Sequence, residues 1–326
     1  MSKIAEKVSK YFLRKAETIT GYARKRTIFG FAGIPIYYVA SYFFKGIAEG
    51  SLTTRASSIA FNFFLAIFPA IIFIFTLIPY IPIDNFQEEL ILLIADVMPQ
   101  NAYSTIQETL EDIIRNQRSS LLSLGFVAAL IFSTNGISSM ISAFNASIHV
   151  KESRTWLEER FISIVLVIIL AFLLTTAIIL VAFSHYFTDF LVSHNFITSD
   201  GTLLLLILGK WIIILGLFFF TISFLYYFAP ARRRRWRFFS SGATFATIFC
   251  IIGSLGFSFY VNNFGQYNKL YGSIGTLIVI LMWIYYNALI LLTGFELNIS
   301  IQHAQAKKME IVSRKIENTE ANQNKT

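Results

Sequence analysis

The side chains that could do chemistry are few, and they fall in stripes. Arg55, Ser58 and Asn62 stand at i, i+3 and i+7, which puts them on one face of a helix. Asn135, Ser138, Ser142 and Asn145 follow one another at intervals of 3, 4 and 3, again one stripe. Such stripes turn inward in a membrane, because lipid cannot satisfy polar groups. They either line a polar passage or tie helices together by hydrogen bonds. Glu296 is the clearest carboxylate inside an apolar stretch, and intramembrane carboxylates are costly enough to mark a functional site by default. Arg55, Arg154 and Arg160 are its candidate partners. A structural ion pair near the interface accounts for it equally well. Arg232, Arg233, Arg234, Arg235 and Arg237 follow Pro230. They could contact anionic lipid head groups, or anchor the topology with Trp236 at the interface.

Catalytic constellations are missing from the sequence. The four histidines, His149, His185, His194 and His303, lie far apart and show no metal-ligand spacing. No Gly-rich phosphate loop and no nucleophile elbow is present. A two-metal nuclease needs clustered carboxylates or histidines; none is evident, and most acids on the side opposite the basic loops lie in 84–112, where they read as solvated helix faces. The expectation is a protein without catalytic residues, bound metal, cofactor or nucleic-acid partner.

The elements that must position these residues follow from composition. Hydrophobic residues make up 55% of the 326, charged residues only 14%, and the mean hydropathy is +0.61. Soluble domains carry about 25% charge, so lipid is the expected solvent. Six segments reach the roughly 20 residues needed to cross a hydrocarbon core: 56–80, 121–149, 161–187, 202–228, 238–262 and 273–301. Of the 27 Lys and Arg, 23 fall on one side of this arrangement, three on the other, and Lys210 inside the fourth span. The positive-inside rule then places both termini in the cytoplasm.

Outside the spans, residues 1–55 read as a cytoplasmic basic arm followed by an aromatic-rich interfacial helix at 27–48. The arm lacks the apolar core and cleavage site of a leader. Residues 81–120 form a small extracytoplasmic helical cap. There Asp84 and Gln87 resemble a capping box, and Glu111 can pair with Arg115 at i, i+4. Residues 302–326 are a polar cytoplasmic tail, expected to be disordered at its end. The fold class is thus an all-α integral membrane protein: six transmembrane helices, an interfacial helix and a cap. Gly253, Ser254, Gly256 and Ser258 thin the fifth span for close helix approach.

Several segments in order resemble a known family. They are RASSIAF at 55–61, STNGISSMISAFN at 133–145 with Arg154 and Arg160 beyond it, and FAP at 228–230 before the basic run. FSFYVNNFGQYNKLYGSIGTLI at 257–278 and WIYYNALILLTGFELN at 283–298 complete the set. The resemblance is to the YihY/BrkB family of bacterial inner-membrane proteins, also called ribonuclease BN, over about residues 35–300. Phe61 stands where the family often has Tyr. The resemblance implies a six-helix protein of the inner membrane without a settled activity. The ribonuclease label reads as a misassignment, since the residues of a metal site are absent. The virulence label implies an envelope role, and links of some relatives to lipid or lipopolysaccharide movement favour transport.

The expectation is therefore envelope transport or lipid handling along a groove formed by the first, second and sixth spans. Membrane lipids with anionic head groups are the expected partners. The alternative is a non-transporting scaffold for envelope or division machinery, with envelope proteins as partners.

Overall fold

A computed structural model describes residues 20–24, 26–28, 30–82, 85–97, 100–148, 154–193, 200–231, 238–263 and 273–323. The chain begins its regular structure with α1 (Ile36–Glu49) and α2 (Leu52–Leu77), the latter extended by a 3₁₀ turn at Ile78–Tyr80. Two short helices follow, α3 (Phe86–Val97) and α4 (Gln100–Arg115). Then come α5 (Ser119–Ile148), α6 (Trp156–Ser193), α7 (Asp200–Phe228), α8 (Ser241–Asn263) and α9 (Ser273–Gln323).

Six of these helices, α2 and α5 through α9, are long and apolar enough to cross a membrane. Each overlaps one of the six segments read from the sequence, with bounds that differ by several residues and a last helix that runs on past 301. A helix satisfies its own backbone, which lipid would otherwise leave unpaired. Pro69 sits inside α2 without ending it, as transmembrane helices tolerate when neighbours surround the freed carbonyl.

Close approach of backbones holds the bundle. α2 and α5 run antiparallel along their whole length. Gly125 of α5 lies where a Cβ would come within 3.2 Å of the Phe73 backbone, and Gly136 faces the Phe63 ring at the same distance. Between α8 and α9, Gly294 leaves so little room that a Cβ would sit 2.6 Å from the Gly242 carbonyl. Lipid tails are as apolar as Leu, so helices in a bilayer associate through such dense contact more than through hydrophobic burial. The reading of the fifth span is right in kind but not at each position. Gly253 meets the Tyr286 ring, whereas Gly256 faces open space.

The centre is an aromatic cluster from three helices. Phe144 of α5 stacks on Phe295 of α9 at 4.1 Å between ring centroids, and Tyr226 of α7 meets both edge-on at 5.6 and 5.4 Å. All three are fully buried. The Tyr226 hydroxyl donates to the Leu291 carbonyl at 2.6 Å, so its burial leaves no polar atom unsatisfied.

Two details differ from expectation. The stretch beyond residue 302 does not break into coil: α9 continues as one helix of 51 residues. At about 1.5 Å per residue that is far longer than a bilayer core. Its extension is held by α1, whose Val39, with Ile34 before it, packs on Ile301 and Ala304. The second concerns 81–120. Arg115 pairs with Glu88 of α3 at 3.4 Å, while Glu111 accepts from Gln107 at 2.9 Å. Asp84 lies outside the described residues, and Gln87 donates to the carbonyls of Ile78 and Ile81 at 3.3 and 3.4 Å. Ile91, Leu110 and Ile114 bury against Ile78, so the α3–α4 pair is seated on the end of α2 opposite Arg55.

Candidate functional site

The polar stripes of α2 and α5 meet each other at the end of the bundle where α2 begins. Arg55 donates to the Ala143 carbonyl at 3.0 Å and to the Ser147 hydroxyl at 2.8 Å, and also bonds the Gly50 carbonyl. It thereby fastens the two-residue link between α1 and α2, where Ser51 adopts a left-handed conformation with φ 43°. Two turns on, Asn62 donates to the Ser139 hydroxyl at 2.9 Å and to the Ser58 carbonyl of its own helix at 2.9 Å.

Glu296 of α9 closes this node. It is only 5% exposed, and Arg55 attracts it electrostatically. Its carboxylate lies over Gly46 of α1, where any Cβ would overlap it. The glycine therefore makes room for the acid, and α1 is the lid over it.

A second polar group joins α5 to α6. Arg160 donates from one nitrogen to the Thr134 hydroxyl at 2.8 Å and to the Asn135 side-chain carbonyl at 2.9 Å. It also lies over the Trp156 ring at 5.6 Å, a cation–π contact. Ser138 donates to the Glu159 carboxylate. A third group holds the segment after α7. Asn145, 3% exposed, accepts from the Ala231 amide at 2.9 Å, and Arg154 donates to the Ala229 carbonyl at 3.2 Å. On α9, Asn298 accepts from the Gly242 amide at 2.8 Å and donates to the Ser240 hydroxyl at 2.9 Å.

The structure thus gathers Arg55 and Glu296 into one node, with Asn62 a short way along the same α2–α5 seam. Asn135 and Ser138 turn instead toward α6, where Arg160 and Glu159 meet them, and Asn145 with Arg154 toward the segment after α7. Ser58 and Ser142 are exposed on the bundle surface. Arg232, Arg233, Arg234, Arg235 and Arg237 lie outside the described residues. Sequence reasoning passed over Ser139, Ser147, Thr134 and Glu159. Each is a small or acidic residue whose partner sits on another helix, so periodicity along one helix carries no signal for it. Among the described residues, no three His, Cys, Asp or Glu side chains come together as a metal-ligand set.

Six helices long and apolar enough to cross a membrane, with the carboxylate of Glu296 buried among them, mark a multi-pass integral membrane protein. The profile of the family described as Virulence factor BrkB matches residues 43–317, and the chain belongs to that family. A Bacillus subtilis protein named "Putative ribonuclease-like protein YfkH" is 32% identical over 78% of this chain and 91% of its own length. UPF0761 membrane proteins of Alteromonas mediterranea and Haemophilus influenzae are 26% and 24% identical, over 84% and 78% of this chain and 91% of each relative. No solved structure matches the chain.

Proposed function

We propose that the protein handles a lipid or another amphipathic molecule of the envelope in the bacterial cytoplasmic membrane, and that it is not an enzyme. Both termini are cytoplasmic in this reading, α1 lies along the cytoplasmic interface, and the α3–α4 pair caps the outer face. The observation that carries it is the buried Glu296 beside Arg55. Burying a carboxylate inside a membrane bundle is costly and helices can be packed without one, so a bundle that keeps it has a use for charge near the passage. Arg55, Asn62 and Glu296 would guide a polar head group along α2, α5 and α9 while its apolar part stays in lipid, with Asn135, Arg160 and Arg154 bordering that path on the α6 and α7 sides. The split of 23 cationic residues against three supports the orientation.

The test is scrambling of fluorescent phosphatidylglycerol in liposomes that hold the purified chain. Glu296→Ala and Asn135→Leu are each expected to abolish flux while insertion and yield persist. Full flux in both variants would remove these residues from the passage.

One observation favours a non-transporting scaffold instead. Leu92 on α3 is 69% exposed, among the charged residues of the proposed outer cap. In that case, deleting residues 86–115 loses a captured envelope protein but leaves liposome flux, if any, unchanged.

A further inference from the structure

The outer face of α5, between α2 and α6, carries polar groups that the bundle leaves unused. Asn135, Ser138, Ser139 and Ser142 lie within about 100° of one another around the helix. Asn135 stands near the middle of α5, and Ser142 is two turns nearer its end. None of the four is fully buried, and Ser142 is exposed. Ser58 of α2 is exposed on the same side. It lies one turn before Asn62, whose bond to Ser139 joins the two helices there. Since α2 and α5 run antiparallel, Ser58 stands level with Ser142. On the other flank Glu159 and Arg160 reach in from α6.

Bonds within the protein use only part of this row. Ser57, beside Ser58 on α2, turns back to the Thr53 carbonyl at 2.9 Å. Among the described residues, the hydroxyls of Ser58 and Ser142 bond nothing. Asn62 donates twice at 2.9 Å, while its side-chain carbonyl accepts from no described residue. Asn135 accepts from Arg160, while its side-chain amide donates to no described residue. Arg160 makes both its hydrogen bonds from one nitrogen, and Glu159 accepts from Ser138 on one oxygen. Lipid tails offer such groups no partner, and leaving them dry in a bilayer is costly. A polar molecule must therefore cover this face.

The unused groups mix donors, on Ser58, Ser142, Asn135 and Arg160, with acceptors, on Asn62 and Glu159. The one cation is matched by one carboxylate. A phosphate fits poorly, because it only accepts and Glu159 repels it, and a choline group has no hydrogen bond to give. A hydroxyl both donates and accepts, so an uncharged head group with several hydroxyls engages both sets. Past Asn135 the same face of α5 turns apolar, with Ile131 and Leu124 exposed. We infer that this face binds a membrane lipid with an uncharged sugar head group. The sugar hydroxyls bond along Ser58, Asn62, Asn135 and Ser142, and the acyl chains lie toward Ile131 and Leu124. The site is distinct from the Arg55–Glu296 node, and binding there does not require that the protein move lipid.

Native mass spectrometry of the full chain in detergent tests it, with diglucosyl-dioleoylglycerol and dioleoylphosphatidylcholine as competing probes. The wild type should retain the glycolipid preferentially. Ser58→Leu and Ser142→Leu remove exposed hydroxyls that bond nothing in the bundle, so both variants should fold. Each should lower glycolipid retention about 5-fold, as losing one hydrogen bond does, and leave phosphatidylcholine unchanged. Thr175→Leu, at an exposed hydroxyl farther along α6, should change neither. Equal retention of the two lipids by the wild type would overturn the site, and so would undiminished selectivity in both leucine variants. Disulfide crosslinking of Ser142→Cys between two copies in membranes would overturn it too, because a second chain would then cover the face. Liposome flux reads the proposed passage separately. Selective retention without flux removes the passage and keeps the site; flux without selective retention does the reverse.

Discussion

Gly294 marks a close contact of backbone on backbone between α8 and α9. A Cβ there would meet the Gly242 carbonyl at 2.6 Å, the Tyr226 hydroxyl at 2.7 Å and Ala246 at 2.9 Å. Two of these three are rigid, so Gly294→Val must push α8 from α9 and disturb the Tyr226 bond to Leu291. Overpacking of this kind costs about 1–3 kcal/mol. Thermal unfolding in detergent should show the loss, and a variant as stable as wild type would mean that the two helices have slack. The nearby polar residues show the limit of spacing arguments at this scale. The stripe on α5 names a face, but Asn62 bonds Ser139 and not its neighbour Ser138. One residue is about 100° around a helix, and only the neighbouring helix decides which of two adjacent serines it meets.

The α3–α4 pair and the turn into α5 form an element held by exposed charges as well as by Ile78, Ile91, Leu110 and Ile114. Arg118 pairs with Asp112 at 2.6 Å, and Asn116 bonds the same carboxylate at 2.8 Å. Hydrogen bonds from Arg118, then from Asn116, hold the Asp112 carboxyl below its ordinary value of 3.8, and the same bond raises Arg118. Since the folded value is depressed, the contribution is present above the unfolded value and is lost as pH falls through the folded one. A spin label at Gln117 should therefore loosen only below about pH 4, with the midpoint under the ordinary carboxylate value. Asp112→Asn should loosen it at all pH values. A label equally mobile in wild type at neutral pH would show that the clasp does not order the turn. Sequence spacing offered Glu111 as the partner of Arg115 because it reaches only along one helix, whereas Glu88 comes from the helix packed beside it.

At the scale of the molecule, the proposed orientation makes a direct prediction. A cysteine placed at Gln117, in the turn after α4, should react with an impermeant thiol reagent on intact cells. One placed at Met309 on α9 should react only after lysis. Cys250, the one native cysteine, is buried and should stay silent in both. The reverse pattern would invert the topology and remove the assignment of the outer cap. The long α9 bears on this: its apolar half crosses the bundle, and its polar half continues past α1, where Lys308 donates to the Gly33 carbonyl at 3.2 Å.

The sequence by itself determined that the chain carries six helices long and apolar enough to cross a membrane, roughly where each one lies, and which residues are polar inside them. Those features rest on local physics: a run of apolar residues long enough to span hydrocarbon, and a helix as the backbone conformation that satisfies itself there. The family could also be read locally, from short segments in order. Only the tertiary structure decided who meets whom. It joined Arg55 to Ser147 and Glu296, gave Gly46 its purpose beneath that carboxylate, split the α5 stripe among three neighbours, and left the hydroxyls of Ser58 and Ser142 on one outer face. Such pairings depend on the rotation and distance of one helix against another, set by the summed packing of many side chains, and no spacing within a single helix encodes them.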